Sequence, residues 1–124
     1  MPALALYWSD HEWNIHWSDE GDARAAFQLA LDVASHLAGT PIAQPTAADL
    51  AALWREEQQL AGTVNAAGMQ FPLSASSDSE GGQLSLESRE GIFGTRYEEL
   101  LSFLHEYARQ RGVRIAAPYQ EMTF

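Results

Sequence analysis

The sequence predicts an α+β fold: a single domain in which a mostly antiparallel sheet of about five strands carries three helices on one face, in the order β-β-α-α-β-β-α-β. Three observations predict it. Two N-terminal segments alternate apolar and polar residues with period two, three longer segments repeat apolar residues at three and four, and Gly or Pro punctuates the boundaries. A length of 124 residues with a hydrophobic share of 46% suits one domain with its own core.

The first two strands read as a hairpin. Leu4, Leu6 and Trp8 alternate in ALALYW, and Trp13, Ile15 and Trp17 alternate in WNIHW. Pairing them around Ser9-Asp10-His11-Glu12 sets Trp8 opposite Trp13, Leu6 opposite Ile15 and Leu4 opposite Trp17. Every large apolar side chain then shares one face, a register that a one-residue slip would destroy. Tyr7, Asn14 and His16 take the other face.

From Asp22 the period lengthens. Phe27, Ala30, Leu31, Ala34, Leu37 and Ala38 form a helical stripe, with Asp22 as N-cap, Asp19 and Glu20 favourable at the positive helix start, and Gly39 as the stop. Thr46 and Asp49 open a second helix with a short-armed capping box; Leu50, Leu53, Trp54 and Leu60 are its expected buried side and Gly62 its end. A strand is expected around Gly68–Leu73, with Pro72 marking an edge, followed by a mobile polar loop over 74–82 and a strand with Leu84 and Leu86 inward. Thr95-Arg96-Tyr97-Glu98 reads as a capping box before the third helix, whose stripe is Tyr97, Leu100, Leu101, Leu104 and Ala108 and whose stop is Gly112. Val113-Arg114-Ile115 leads into a final strand broken by Pro118.

Charge narrows the function classes. The net charge is −10, and every cation among the Lys and Arg residues is an arginine. Residues 1–62 hold nine acids and two arginines; the remainder holds eight and five. A field of this sign repels phosphate backbones, which argues against direct nucleic-acid binding, and accelerates encounter with a basic protein. Net negative charge also serves solubility alone. The absence of cysteine removes disulfides, zinc-thiolate sites and thiol nucleophiles. No run reaches the length of a membrane span, and no basic region precedes an apolar segment at the N-terminus, so a cytoplasmic protein without a membrane anchor is expected.

Several stretches invite comparison with catalytic or ligand motifs. HEWNIH, residues 11–16, approaches the zincin signature H-E-x-x-H but spaces its histidines by five, on a turn and strand instead of one helical face. SSDSEGG, residues 76–82, lacks the alternating acids and closing Glu of a calcium loop. Gly91 and Gly94 precede a helix without any phosphate-binding fingerprint, and no G-x-S-x-G elbow occurs. His36 and His105 lie on helices without an adjacent nucleophile. Arg109, Arg111 and Arg114 suit the negative end of the third helix. No enzyme activity, cofactor or metal is therefore expected.

What remains is an acidic rim. Tyr7, Asp10, His11, Glu12, His16, Asp19, Glu20 and Asp22 are expected to gather at one end of the hairpin as a partner-binding surface, aromatic contacts beside acids giving both contact energy and steering. A solvated turn and a capped helix would account for the same residues.

In size, acidity and single-domain organisation the chain resembles the small acidic inhibitors of bacteria, such as immunity proteins that neutralise a cognate toxin. The resemblance is one of profile and rests on no motif. The alanine-rich, lysine-free composition fits a GC-rich bacterial genome. The profile implies a binding protein that blocks a basic partner, a toxin or a nucleic-acid-processing enzyme. Alternatives are a phage or mobile-element inhibitor whose acids mimic DNA, a structural or adaptor subunit, and a small enzyme or metal binder.

Overall fold

In a computed structural model, which describes residues 1–117 and the backbone of 122–123, one sheet carries the whole fold. The strands are β1 (Ala3–Trp8), β2 (Glu12–Trp17), β3 (Gln59–Ala66), β4 (Met69–Asp78), β5 (Gly81–Glu87), β6 (Arg114–Ala117) and β7 (Met122–Thr123). The helices are α1 (Ala23–Ala38), α2 (Ala47–Glu57), a single turn α3 (Ile92–Thr95) and α4 (Tyr97–Arg111). The sheet order is β3-β4-β5-β2-β1-β6-β7, and β1 with β6 is its parallel pair among otherwise antiparallel neighbours. The architecture is thus α+β and mostly antiparallel, with seven strands where five were expected. The expected break at Pro118 lies outside the described residues.

The N-terminal hairpin forms in the register its apolar pattern requires, Trp8 opposite Trp13 and Leu6 opposite Ile15. Trp13, Leu6 and Ile15 are fully buried, the aliphatic Leu6 and Ile15 each contributing roughly 1.5–3 kcal/mol. The helices cover this face alone: Trp8 packs on Tyr97 of α4, and Trp17 packs on Phe27 of α1 and, edge-on at 5.3 Å, on Trp54 of α2. The opposite face carries Tyr7, Asn14, His16, Ser74, Ser76, Gln83 and Ser85 and is open.

Helix termini follow local chemistry. Gly39 and Gly112 adopt left-handed backbone and close α1 and α4 with bonds to Ser35 O and Ala108 O. Thr46 Oγ1 accepts from Asp49 N–H at 3.1 Å and caps α2. Asp22 stands at the N-cap of α1 but caps nothing with its side chain; its Oδ2 accepts from Ala3 N–H instead. Thr95 does not form the expected capping box, because α3 already occupies Ile92–Thr95 and its hydroxyl turns back to Ile92 O. Phe93, on that turn, plugs the core.

The second helix ends sooner than expected. Gln58 takes left-handed backbone and α2 stops there, not at Gly62. Residues 59–66 are a strand, which moves Leu60 from a helix to the helix-bearing face of β3, where it is half-buried; Leu53 is 46% exposed, and Ala51 takes the buried place on α2. The cause lies downstream. Ala67 and Gly68 both have positive φ, the conformation of a two-residue hairpin turn that matches strand twist. That turn folds β3 onto β4, with Val64 against Phe71. Residues 74–78 likewise extend β4 instead of starting a loop, since Ala75 points inward between outward Ser74 and Ser76.

Candidate functional site

The eight residues of the expected rim fall into three places. Asp10 and His11 form the β1–β2 turn, which docks on residues 88–94. His11 Nδ1 lies 3.0 Å from Ser88 O, Ser88 N–H donates to His11 O at 2.9 Å, and the Asp10 carboxylate is seated where a side chain on Gly94 would stand. These two residues fasten the hairpin tip to the rest of the fold.

Tyr7, Glu12 and His16 belong to the open face of the sheet. Tyr7 Oη and His16 Nε2 are 3.1 Å apart, and their rings stack with centroids at 5.4 Å. Ser85 Oγ donates to Glu12 Oε1 at 3.0 Å and also touches the Asn14 side chain. A shallow cleft of about 680 Å³ opens over this face, with Tyr7, Asn14, Ser74, Ser76 and Gln83 in its lining. Tyr7 with His16, and Ser85 with Glu12 and Asn14, are partnered within it, and the carboxylates of Glu12 and Glu57 also line it.

Asp19, Glu20 and Asp22 lie at the far end of β2. The strand separates them from the hairpin turn by six residues, roughly 20 Å at about 3.3 Å per residue. The rim is therefore not gathered at one end of the hairpin: an extended strand carries its two acidic halves apart.

The structure supplies different neighbours to the second half. Gly82 pairs with Trp17, and Gly81 is so close to Trp17 O and Ser18 Cα that no side chain fits there. The β4–β5 turn, with Asp78 and Glu80, thereby lies against the segment leading to Asp19 and Glu20. On its other flank Ser77 Oγ donates to Gln58 Oε1 at 2.6 Å and Ser77 N–H to Gln58 O at 3.3 Å, which brings in Glu56 and Glu57 at the end of α2. Three segments distant in sequence thus place six exposed carboxylates, Asp19, Glu20, Glu56, Glu57, Asp78 and Glu80, at one end of the sheet. Arg24 and Arg55 lie on the nearby helix ends and offset part of this charge. The ion pairs among the described residues involve Asp32, Glu99 and Glu106 and none of these six. Asp19 Oδ1 and Asp78 Oδ1 accept from the Gly21 and Glu80 N–H groups, both at 2.8 Å, but no cation among the described residues neutralises the six, and fields from groups within about 10 Å of each other add.

The sequence pattern marks Asp19, Glu20 and Asp22 but not Glu56, Glu57, Asp78 and Glu80. The signal available for Asp78 and Glu80 was the alternation along β4, in which Leu73 and Ala75 face inward while Ser74 and Ser76 do not. Serine-rich composition over 74–79 disguises that alternation as a loop.

A second polar cluster ties α1 to α4. His36 Nε2 lies 2.6 Å from Glu99 Oε2, Arg96 pairs with Glu99, and Arg96 Nη1 donates to Leu37 O at 2.6 Å. The Arg96 guanidinium, with His36, holds the Glu99 carboxyl below the usual range. Further along, Tyr107 Oη donates to Asp32 Oδ2 at 2.8 Å and Arg111 lies over the Tyr107 ring. Burial, reinforced by the Asp32 acceptor, pushes the Tyr107 phenol above the usual tyrosine range. These groups pair with one another across α1 and α4. Among the described residues no three His, Asp or Glu side chains converge as a metal-ligand set, and no helix is long and apolar enough to cross a membrane.

The chain matches no protein family, and no curated protein or solved structure is recognisably similar to it.

Proposed function

We propose that the protein binds a basic protein partner through the acidic end of its sheet and neutralises it, in the manner of a bacterial immunity protein acting on a toxin. The observation that carries this reading is the convergence of Asp19, Glu20, Glu56, Glu57, Asp78 and Glu80, exposed and outside the ion pairs formed among the described residues. Like charges held together by the fold repel one another, a cost that a cationic partner reverses on binding. The acids sit on two turns and a helix end that core and backbone contacts hold in place, the Gly82–Trp17 packing and the Ser77–Gln58 bonds among them. A rigid surface loses little conformational entropy on binding.

The test is affinity capture from the source cell's lysate with three forms of the chain: native, the triple reversal Asp19→Lys/Asp78→Lys/Glu80→Lys, and the opposite-end reversal Glu87→Lys/Glu90→Lys, at two exposed acids near the hairpin turn. The expected result is one basic protein retained by the native and opposite-end forms and lost from the triple reversal. Retention by the triple reversal overturns the assignment.

A further inference from the structure

The sheet ends on β3, and this edge is unprotected. Its eight residues, QLAGTVNA, include no charge and no proline, and its register with β4 runs unbroken from Gln59–Ser76 to Ala66–Met69, without a bulge. Strand edges facing solvent ordinarily carry Lys, Pro, a bulge or an inward charge, since free backbone N–H and C=O groups template another strand. Beside the edge, Leu60 is only half-buried and Leu53, on the helix that packs against β3, is 46% exposed.

We propose that β3 pairs antiparallel with β3 of a second copy of this chain, about a two-fold axis at Gly62, joining two sheets into one. The charge pattern selects this occupant and this direction. Two chains of net charge −10 repel, so a contact between them must pass through a neutral window. β3 is such a window, but an asymmetric one: Glu56 and Glu57 precede it, whereas Ala67, Gly68 and Met69 follow it. Antiparallel pairing about Gly62 sets Glu57 opposite Ala67 of the other copy; parallel pairing would set Glu57 beside Glu57. The same register sets Leu60 opposite Val64 on the helix-bearing side and Gln59 opposite Asn65 on the open side, so each face continues across the junction. Such a contact is isologous and closes at two copies. At Gly62 itself a Cβ would meet nothing within 4 Å, which leaves room at the axis.

Sedimentation equilibrium of the full chain tests this. The expected result is a dimer whose dissociation constant falls by about ten-fold from about 0.05 M to about 0.5 M salt, as the like charges are screened. Ala61→Lys, an exposed change on the edge, is expected to give a monomer with an unchanged circular dichroism spectrum. The native chain offers no thiol, so Gly62→Cys is expected to oxidise to a covalent dimer at least about ten-fold faster than Asn65→Cys, whose partners stand roughly 20 Å apart. A monomer at both salt concentrations overturns the proposal and leaves the edge to a foreign strand. So does a dimer that Ala61→Lys leaves intact, or one that cross-links faster through residue 65.

Discussion

Trp17 packs against the bare backbone of Gly82, so closely that a Cβ at position 82 would overlap the indole. This contact joins the end of β2 to the start of β5 and sets where the β4–β5 turn, with Asp78 and Glu80, comes to rest. Gly82→Ala is therefore expected to destabilise the fold by about 1–3 kcal/mol, the usual cost of overpacking a filled core. Gly62→Ala, which meets open space, is expected to stay within about 0.5 kcal/mol. Urea unfolding midpoints check the pair; equal effects at the two positions would contradict the packing argument.

Tyr107 supplies an alkaline limb to stability. Its phenol is buried and donates to Asp32, so its folded pKa is raised. A raised pKa means that the contribution is complete below the unfolded tyrosine value of about 10 and is lost as pH climbs above it. Tyr107→Phe is expected to cost about 1 kcal/mol at neutral pH and to lose less stability than the native chain above about pH 10. Stability measured against pH for both proteins decides this; parallel alkaline slopes would refute the role of Tyr107.

The N-terminus of α2 depends on one hydroxyl. Thr46 Oγ1 satisfies the Asp49 N–H, and Thr46→Ala is expected to cost about 1 kcal/mol, with Thr46→Ser largely retaining the cap. Thermal or urea unfolding of the two variants reads this directly; an unchanged Thr46→Ala midpoint would show that water replaces the hydroxyl without loss.

These variants also mark what was legible in the residues. The N-terminal hairpin was legible because Trp8, Trp13, Ile15 and Trp17 leave a single register that buries all of them. The glycine stops of α1 and α4 were legible because only left-handed backbone was needed there. β3 was not, because Gly62 imitates a helix stop, and alanine-rich alternation carries little strand preference. The turn at Ala67-Gly68, which decides the matter, is a backbone feature that one glycine only half reveals. The acidic end was legible only in part. Asp19 and Glu20 stood out, but their neighbours Asp78, Glu80, Glu56 and Glu57 arrive through contacts of Gly82 with Trp17 and Ser77 with Gln58, which no local pattern encodes.

Steering of a basic partner by the acidic end, as proposed above, is read by stopped-flow association with the captured partner. The native rate constant is expected to fall at least about ten-fold from about 0.02 M to about 0.5 M salt. The Asp19→Lys/Asp78→Lys/Glu80→Lys variant is expected to associate slowly at every salt concentration. Equal association rates for the native chain and this variant at low salt would rule out steering by Asp19, Asp78 and Glu80.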